Sequence, residues 1–316
     1  MKHWMITGAA GFVGEGLAHH LQRVVDPGDR ITLVDSAALP DLPPHETART
    51  RNVQGSLADR DVLAQAIGDR VDCVYHLATL PGRGAELDYE AGRSANLDGM
   101  ITLLEELRQR SPGCRIVHAS SVSVYGTPVP DHVDDETLPL PAMSYAAHKL
   151  VGEILINDYT RRNFVDGLSL RLSGIVARPP GSAVHASAFF NDVFHAAREH
   201  RDMVMPLGAD ITTWMMSRRR CIENLWHAGT IEPDRLPRRR NWALPALLVR
   251  VGGLIDVLAQ RFGPDVRDRI RLRPDPQLEA IFHQPRLHAD MAEALGFKAD
   301  SSLAELVDNV FSTDES

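Results

Sequence analysis

The chain has 316 residues, which is enough for one large α/β domain with a smaller region over it, or for two modest domains. Hydrophobic residues make up 44% and charged residues 24% of the sequence, as in ordinary globular proteins. The formal net charge of −8 argues against a general nucleic-acid binder. No apolar run approaches the roughly 20 residues that cross a membrane.

The cysteines and the N-terminus indicate a reduced, cytoplasmic setting. Cys73, Cys114 and Cys221 are widely separated and show no metal-ligand spacing, and an odd count gives no complete disulfide framework. The first residues run straight into a glycine-rich turn, as a first core strand would. A signal peptide would instead show an apolar stretch and a small-residue cleavage site.

Short apolar runs alternate with helical patterns over the first half of the chain, which predicts an α/β fold with a doubly wound parallel sheet. Strands are predicted at 4–7, 30–35, 51–54, 71–77, 115–120 and 168–172. Helices are predicted at 12–24, 59–67, 89–110, 144–162, 186–200, 244–262, 287–295 and 303–311. Because the alternation weakens after residue 172, we expect 1–172 to form the main domain. We expect 173–316 to form mainly a smaller lobe, with some segments returning to the core.

A glycine-rich turn containing Gly8, Gly11 and Gly14 stands between the first predicted strand and the first predicted helix. Glycines at this point let the backbone turn tightly and approach a pyrophosphate, and the helix N-terminus attracts its charge. Asp35 ends the second strand, where a carboxylate accepts hydrogen bonds from the adenosine ribose hydroxyls and repels a 2′-phosphate. The pattern predicts a Rossmann-type site that prefers NAD to NADP. The alternatives are ordinary turn glycines, and an Asp35 that caps a helix or is simply exposed.

A tyrosine and a lysine, Tyr145 and Lys149, lie four residues apart and therefore on one face of a helix. A free tyrosine has a pKa of about 10, and a nearby cation favours its deprotonated form. The pair by itself is common on helix surfaces. However, Ser120, Ser121 and Ser123 lie at the carboxyl end of a predicted strand, where open α/β sheets bind ligands. Ser121 would hold a substrate hydroxyl while Tyr145 takes its proton.

These residues together resemble the extended short-chain dehydrogenase/reductase family, also known as the NAD-dependent epimerase/dehydratase family. The matching residues are Gly8, Gly11, Gly14, Asp35, the segments 76–78 and 96–99, Ser120, Ser121, the segment 124–126, Tyr145 and Lys149. The resemblance implies an oxidoreductase with Ser121, Tyr145 and Lys149 as its catalytic set. The cofactor-binding residues are then expected to be Gly8, Gly11, Phe12, Val13, Gly14, Asp35, Ser56, Leu57, Leu77, Ala78, Thr79, Asn96, Tyr145 and Lys149. Ser56 departs from the family, whose members often carry an acid there to meet the adenine.

The substrate side differs from that of nucleotide-sugar enzymes. Thr213 occupies the position where those members carry a diphosphate-binding Arg, and arginines at 218–220 replace the acids that follow it. A small acid held by a guanidinium fork fits this pattern better. The segments 161–167, 170–172, 175–179, 214–220, 223–225 and 294–297 resemble the D-erythronate dehydrogenase branch of the family.

That resemblance implies NAD-dependent oxidation of the 2-hydroxyl of a small sugar acid to the 2-oxo acid. The expected substrate-binding residues are Ser121, Ser123, Tyr145, and either Arg178 or Arg219 for the carboxylate. Departures from the branch at 82–84 and 173–174 leave the identity of the acid open.

Two other functions remain open at this point, a nucleotide-sugar epimerase or dehydratase and a non-catalytic NAD-sensing module. No metal is expected, because His185, His195 and His200 lack neighbouring ligand residues in the sequence. The resemblance also suggests a homodimer built on the helices at 89–110 and 144–162, although their apolar residues would equally suit packing against the sheet. Neither nucleic acid nor a membrane is expected as a partner.

Overall fold

The computed structural model describes residues 1–39, 42, 49–179 and 187–312, and within these ranges the chain is an α/β protein. The strands are β1 (His3–Thr7), β2 (Arg30–Asp35), β3 (Arg49–Gln54), β4 (Cys73–His76), β5 (Arg115–Ser121), β6 (Asp166–Leu172), β7 (Gly174–Val176), β8 (Met203–Met205), β9 (Thr212–Ser217), β10 (Asn241–Ala243), β11 (Leu247–Arg250) and β12 (Ile270–Leu272). The α-helices are α1 (Phe12–Val24), α2 (Arg60–Ile67), α3 (Gly82–Leu87), α4 (Tyr89–Arg93), α5 (Gly99–Arg110), α6 (Ser144–Arg161), α7 (Phe189–Arg198), α8 (Arg218–Thr230), α9 (Val251–Phe262), α10 (Val266–Arg269), α11 (Pro276–Phe282), α12 (Asp290–Ala294) and α13 (Leu303–Phe311).

The central sheet has seven strands in the order β10-β6-β5-β4-β1-β2-β3, and every pair in it is parallel. The chain therefore moves outward from β1 in both directions, first through β2 and β3 and then through β4, β5 and β6. This order creates a crevice at the carboxyl ends of β1 and β4, which is where such sheets bind ligands. The predicted doubly wound, Rossmann-type fold is confirmed.

Helices cover both faces of this sheet, which explains why its central strands are almost continuously apolar. Trp4 and Ile6 of β1 pack on one side with Leu17 of α1 and Leu225 of α8. Met5, between them in the sequence, faces the opposite side and belongs to a second core with residues of α2 and α5. The alternation of side chains along a strand thus places each helix layer on its own face.

The predicted boundaries of helices and strands agree best with the structure where the pattern is local. They are wrong where a segment pairs with residues far away in the sequence. The helix at 12–24 matches α1, whereas the helix predicted at 244–262 begins only at Val251. Residues Leu247–Arg250 instead form β11, which pairs antiparallel with β9, so a distant partner overrides the local helical pattern. The helix predicted at 287–295 is shorter, Asp290–Ala294, because Leu287 forms a β-bridge with Val133. Of the helix predicted at 186–200, α7 covers Phe189–Arg198, and residue 186 lies outside the described residues.

The second half of the chain contributes to both parts of the molecule. β10 joins the edge of the central sheet beside β6, and α8 packs beside α1. The small sheet β11-β9-β7 and the pair β12-β8 lie with α7, α9 and α13 around a separate apolar core. The sequence does not predict β7, β8, β9 or α8; β7 and β8 have only three residues each, and α8 begins with three arginines. Among the described residues, no helix combines the length and the apolar character that a membrane span requires.

A buried aspartate anchors the junction of β9 and α8, so its loss should destabilise the fold. Asp300 is 2% exposed and accepts hydrogen bonds from the Ser217 N–H (2.8 Å), the Ser217 hydroxyl (2.7 Å) and Asn309 Nδ2 (2.8 Å). We expect Asp300→Ala to lower the free energy of unfolding by about 2–3 kcal/mol, because it leaves buried donors without a charged acceptor. Urea denaturation measures this loss.

The matched control is Asp256→Ala, which removes an exposed carboxylate whose Oδ1 lies 2.9 Å from Arg267 Nε. Exposed ion pairs contribute at most about 1 kcal/mol, so this variant should stay close to the parent protein. Equal losses in the two variants would contradict the anchoring role of Asp300.

Candidate active site

A cavity of about 620 Å³ lies at the carboxyl ends of β1, β2, β3 and β4. Most of the predicted cofactor residues line it, namely Gly8, Gly11, Phe12, Val13, Gly14, Asp35, Ser56, Leu57, Leu77, Ala78, Thr79 and Tyr145. The other two, Asn96 and Lys149, are buried and lie outside this lining. Leu80, Pro81, Ala91 and Ala95 also line the cavity, although the sequence held no chemical signal for these apolar residues.

The glycine turn brings backbone segments too close together for a side chain at Gly8 or Gly14. Gly8 has φ +74°, and a Cβ there would lie 2.5 Å from the backbone nitrogen of Ala78. A Cβ on Gly14 would lie 2.1 Å from the Gly8 carbonyl oxygen. The turn leads into α1, whose N-terminus provides unpaired N–H groups and a positive dipole end. These features fit the pyrophosphate of a dinucleotide.

Asp35 ties the far end of the cavity to the glycine turn. Its Oδ2 accepts a hydrogen bond from the Ala10 N–H and its Oδ1 accepts one from the Ala37 N–H, both at 3.0 Å. The carboxylate lines the cavity at the end of β2, where the ribose of an adenosine would lie. Its position fits ribose binding better than it fits a helix cap or a simply exposed carboxylate.

The three residues of the expected catalytic set lie near one another, and of these Tyr145 lines the cavity. Ser121 ends β5, and Tyr145 and Lys149 lie in the first turns of α6. The Ser121 side chain is close enough to the phenol of Tyr145 to lower the pKa of that group. Lys149 Nζ lies 5.7 Å from the centre of the Tyr145 ring. Ser121 Oγ also accepts hydrogen bonds from the N–H (3.1 Å) and the hydroxyl (2.9 Å) of Ser123.

Burial sets the proton affinities of this group. It raises the pKa of Tyr145, while the Ser121 side chain and the charge on Arg178 act in the opposite direction. Burial also lowers the pKa of Lys149 to about 7. The sequence predicts that Lys149 is the cation that lowers the pKa of Tyr145. In the structure the charge on Arg178 acts in that direction, and Arg178 lines the same cavity as Tyr145.

Asn96 connects the wall of the cavity to α6, the helix that carries Tyr145 and Lys149. It lies in a π-helical turn, Ser94–Asp98, between α4 and α5. Its Oδ1 accepts a hydrogen bond from the Leu80 N–H (2.7 Å), and its Nδ2 donates to the Leu80 carbonyl (3.0 Å). The same Nδ2 lies 3.3 Å from Nδ1 of His148, on α6. His148 lies between Tyr145 and Lys149 in the sequence, and its contact with Asn96 joins α6 to the wall of the cavity.

The two arginines considered for a substrate carboxylate have different surroundings. Arg178 lines the cavity, and its backbone is held by Asn191 Oδ1 (2.9 Å from the Arg178 nitrogen) and His195 Nε2 (2.8 Å from the carbonyl oxygen). Arg219 is on α8, where its Nε lies 3.3 Å from Glu223 Oε1. It is not among the residues that line this cavity. The geometry therefore favours Arg178.

Two further residues of the C-terminal half have contacts that the sequence did not indicate. Thr213 is buried in β9, and its hydroxyl donates to Gln284 Oε1 (3.0 Å). Arg218 lies with its guanidinium carbon 4.7 Å from the centre of the Phe12 ring, beside the glycine turn. Both contacts join segments that are far apart in sequence, so only the folded chain reveals them.

Within the described ranges, no group of three or more His, Cys, Asp or Glu side chains is arranged to hold a metal ion. His195 contacts the Arg178 carbonyl, and His200 Nδ1 lies 3.0 Å from Asp265 Oδ2. His185 falls outside the residues that the structure describes.

Known proteins resemble this chain over nearly its whole length. A family model described as the NAD dependent epimerase/dehydratase family matches residues 4–215. A D-erythronate dehydrogenase from Cupriavidus necator is 36% identical over 313 residues, and one from Haemophilus influenzae is 30% identical over 310 residues. Each alignment covers 96% of this chain and 96% of the relative. These similarities confirm the family and branch resemblances that the sequence motifs indicated.

Among solved structures, a nucleoside-diphosphate-sugar epimerase from Agrobacterium tumefaciens is similar, with a TM-score of 0.89 and 31% identity. That similarity covers 97% of this chain and 92% of the other. The family match spans well over half of the chain, and both curated relatives are named as dehydrogenases. The chain therefore belongs to the NAD-dependent epimerase/dehydratase family and is an NAD-dependent oxidoreductase.

Proposed function

We propose that this protein oxidises the 2-hydroxyl of a small, D-erythronate-like sugar acid to the 2-oxo acid. The observation that carries the proposal is that Tyr145 and Arg178 line one cavity, with the Ser121 side chain beside the Tyr145 phenol. A proton acceptor, a hydroxyl-binding group and a carboxylate-binding group therefore lie together beside the NAD cavity. Two relatives of the same length are named as D-erythronate dehydrogenases, which supports this substrate class.

The residues of the chain divide the work between binding and proton transfer. Bound NAD supplies the acceptor for the hydride that leaves the carbon bearing the hydroxyl. Ser121 donates a hydrogen bond to the substrate hydroxyl oxygen and so orients it. The deprotonated Tyr145 oxygen accepts the hydroxyl proton as the carbonyl forms. Lys149, with a pKa of about 7, is able to exchange a proton at neutral pH and to hydrogen-bond the nicotinamide ribose.

Arg178 is our choice for the carboxylate of the acid. It lines the same cavity as Tyr145, and α7 holds its backbone in place. A guanidinium presents paired N–H donors that match the two oxygens of a carboxylate. We also propose that 173–316, which contributes Arg178, forms mainly the substrate lobe, while β10 completes the sheet of the cofactor domain (1–172).

The two alternative functions fit the residues less well. A nucleotide-sugar enzyme needs a cation for the diphosphate, and the expected position is Thr213, whose hydroxyl is bonded to Gln284. A non-catalytic NAD sensor has no use for the Ser121, Tyr145 and Lys149 arrangement. Net reduction of NAD by a sugar acid distinguishes our proposal from both.

We further propose that the protein is a cytoplasmic homodimer that pairs through α5 and α6. Ile101, Val151 and Ile154 on these helices are 46%, 39% and 59% exposed in the single chain, which leaves apolar surface to be covered. The three cysteines are buried free thiols, in keeping with a reducing compartment.

The function is tested with a panel of four- to six-carbon sugar acids, by following the absorbance of reduced cofactor. We expect Tyr145→Phe to lower kcat by about 1,000-fold, because general base catalysis contributes roughly 10²–10⁴-fold. NAD affinity, measured by calorimetry, should be nearly unchanged. Tyr159→Phe is the matched control, since Tyr159 is on the same helix but bonds to Glu105, away from the cavity. Substantial turnover by Tyr145→Phe would refute its role as the base.

The coenzyme preference is tested at Asp35. We expect Asp35→Ser to lower the NAD/NADP ratio of kcat/KM by about 100-fold, because a hydrogen bond to a charged group is worth about 1.5–3 kcal/mol. Asp26→Ser makes the same change of charge at an exposed site and should leave the ratio as it was. If both variants changed the ratio equally, net charge would explain the preference and Asp35 would have no specific role.

The carboxylate site is tested by comparing Arg178→Met with Arg219→Met. Arg178→Met should raise KM for the acid by about 100-fold, since a charged hydrogen bond of about 1.5–3 kcal/mol is lost. NAD affinity should change little, and Arg219→Met should have the smaller effect on KM. The reverse order of effects would assign the carboxylate to Arg219.

A further inference from the structure

Three buried side chains and one half-buried side chain, from four different elements, meet behind the candidate active site. Glu153 of α6 accepts hydrogen bonds on Oε1 from the Ser120 hydroxyl (2.6 Å) and Arg171 Nε (2.9 Å). Its Oε2 accepts from Arg171 Nη2 (2.8 Å) and Asn241 Nδ2 (2.9 Å). Ser120 belongs to β5, Arg171 to β6 and Asn241 to β10. One carboxylate therefore joins the catalytic helix to three neighbouring strands of the sheet.

The charged pair at the centre of this cluster is almost completely removed from water. The side chains of Glu153 and Arg171 are 1% and 2% exposed. Burying two charges costs free energy that their attraction often fails to recover, so such a pair is weak grounds for stability. Its bidentate geometry, however, fixes the carboxylate in one orientation. The pair is better explained by the backbone segments that it orders than by a contribution to the stability of the fold.

The Glu153–Arg171 pair orders the backbone on both sides of Ser121. Ser120 precedes Ser121 directly, and its hydroxyl is held by Glu153. Ser121 is followed by a 3₁₀ turn, Val122–Tyr125. The Arg171 guanidinium carbon lies 5.0 Å from the centre of the Tyr125 ring, so the end of this turn is held by the other member of the pair.

The same carboxylate has a fixed relation to the other catalytic residues. Glu153 lies four residues after Lys149 and eight after Tyr145, so the three side chains follow one side of α6. We infer that Glu153, fixed by Arg171, is a positioning residue that uses Ser120 to set the distance between the Ser121 hydroxyl and the Tyr145 phenol. This inference rests on the proposed function, because it assumes that Ser121 and Tyr145 act on the substrate hydroxyl.

A change in that distance has two measurable consequences. A displaced Ser121 no longer orients the substrate hydroxyl, and misplacement by about 1 Å costs roughly 100-fold in rate. The Ser121 side chain beside the phenol also lowers the pKa of Tyr145. Since oxidation requires deprotonated Tyr145, a displaced Ser121 moves the acidic limb of the kcat profile to higher pH.

The test is Ser120→Ala, which removes one hydroxyl, adds no volume and leaves the ion pair in place. We expect kcat for the oxidation to fall about tenfold or more, KM for NAD to stay the same, and the acidic limb to move to higher pH. An absorbance titration of tyrosinate, taken as the difference from the Tyr145→Phe protein, should show a raised pKa for Tyr145 without any substrate present.

The matched control is Asn241→Ala. It removes one hydrogen bond of similar length from the same carboxylate. Asn241, however, lies on β10, which is the farthest from Ser121 of the three strands that Glu153 joins. We expect Asn241→Ala to lower the melting temperature about as much as Ser120→Ala does. Its kcat and the acidic limb of its kcat profile should stay close to those of the parent protein. A second variant, Glu153→Met with Arg171→Met, removes both charges together and should reproduce the kinetic effects of Ser120→Ala. Glu153 is not replaced alone, because Arg171 would be left as an unpaired buried charge.

The positioning role would be overturned if Ser120→Ala left both kcat and the acidic limb of the kcat profile unchanged. It would also be overturned if Ser120→Ala and Asn241→Ala lost equal amounts of kcat. Failure of the proposed function has a different signature. If Tyr145→Phe kept its turnover, the catalytic assignment itself would be wrong. If only Tyr145→Phe lost activity, the proposed function would stand without the positioning role.

Discussion

The close approach of the glycine turn to the loop after β4 is the constraint on which the site depends. The backbone at Gly8 passes so near Ala78 that no Cβ fits between them, and Gly14 brings α1 equally close to the same turn. Because both contacts lie at the point where the sheet order reverses, they leave a crevice bounded by backbone. Asp35, at the end of β2, accepts a hydrogen bond from the Ala10 N–H of the turn, which ties β2 to the turn beside the cavity.

A second feature of the molecule is the number of charges that it buries next to this crevice. Lys149, Glu153 and Arg171 are all nearly inaccessible to water, although unpaired charges there would be very costly. Glu153 and Arg171 neutralise each other, whereas Lys149 responds by losing part of its proton affinity. A paired charge and a charge of lowered proton affinity thus lie one helical turn apart on α6.

Segments that come late in the chain also reach the cavity. Arg178 follows β7 and lines the cavity, and α7 contacts its backbone through Asn191 and His195. Arg218 lies over Phe12, so the start of α8 contacts the glycine turn itself. Residues from both halves of the chain therefore meet around this cavity.

The sequence by itself determined the features that depend on neighbours within a few residues. These are the glycine turn before α1, the acid at the end of β2, the four-residue spacing of Tyr145 and Lys149, and the alternation of strands and helices up to residue 172. Only the tertiary structure decided that Arg178 and not Arg219 faces the cavity, and that residues 241–243 return to the central sheet. It also revealed that Glu153 joins β5, β6 and β10. The reason is physical, since helix periodicity and turn geometry are local properties of the backbone. Hydrogen bonds between residues 18 to 88 positions apart depend instead on how the whole chain packs.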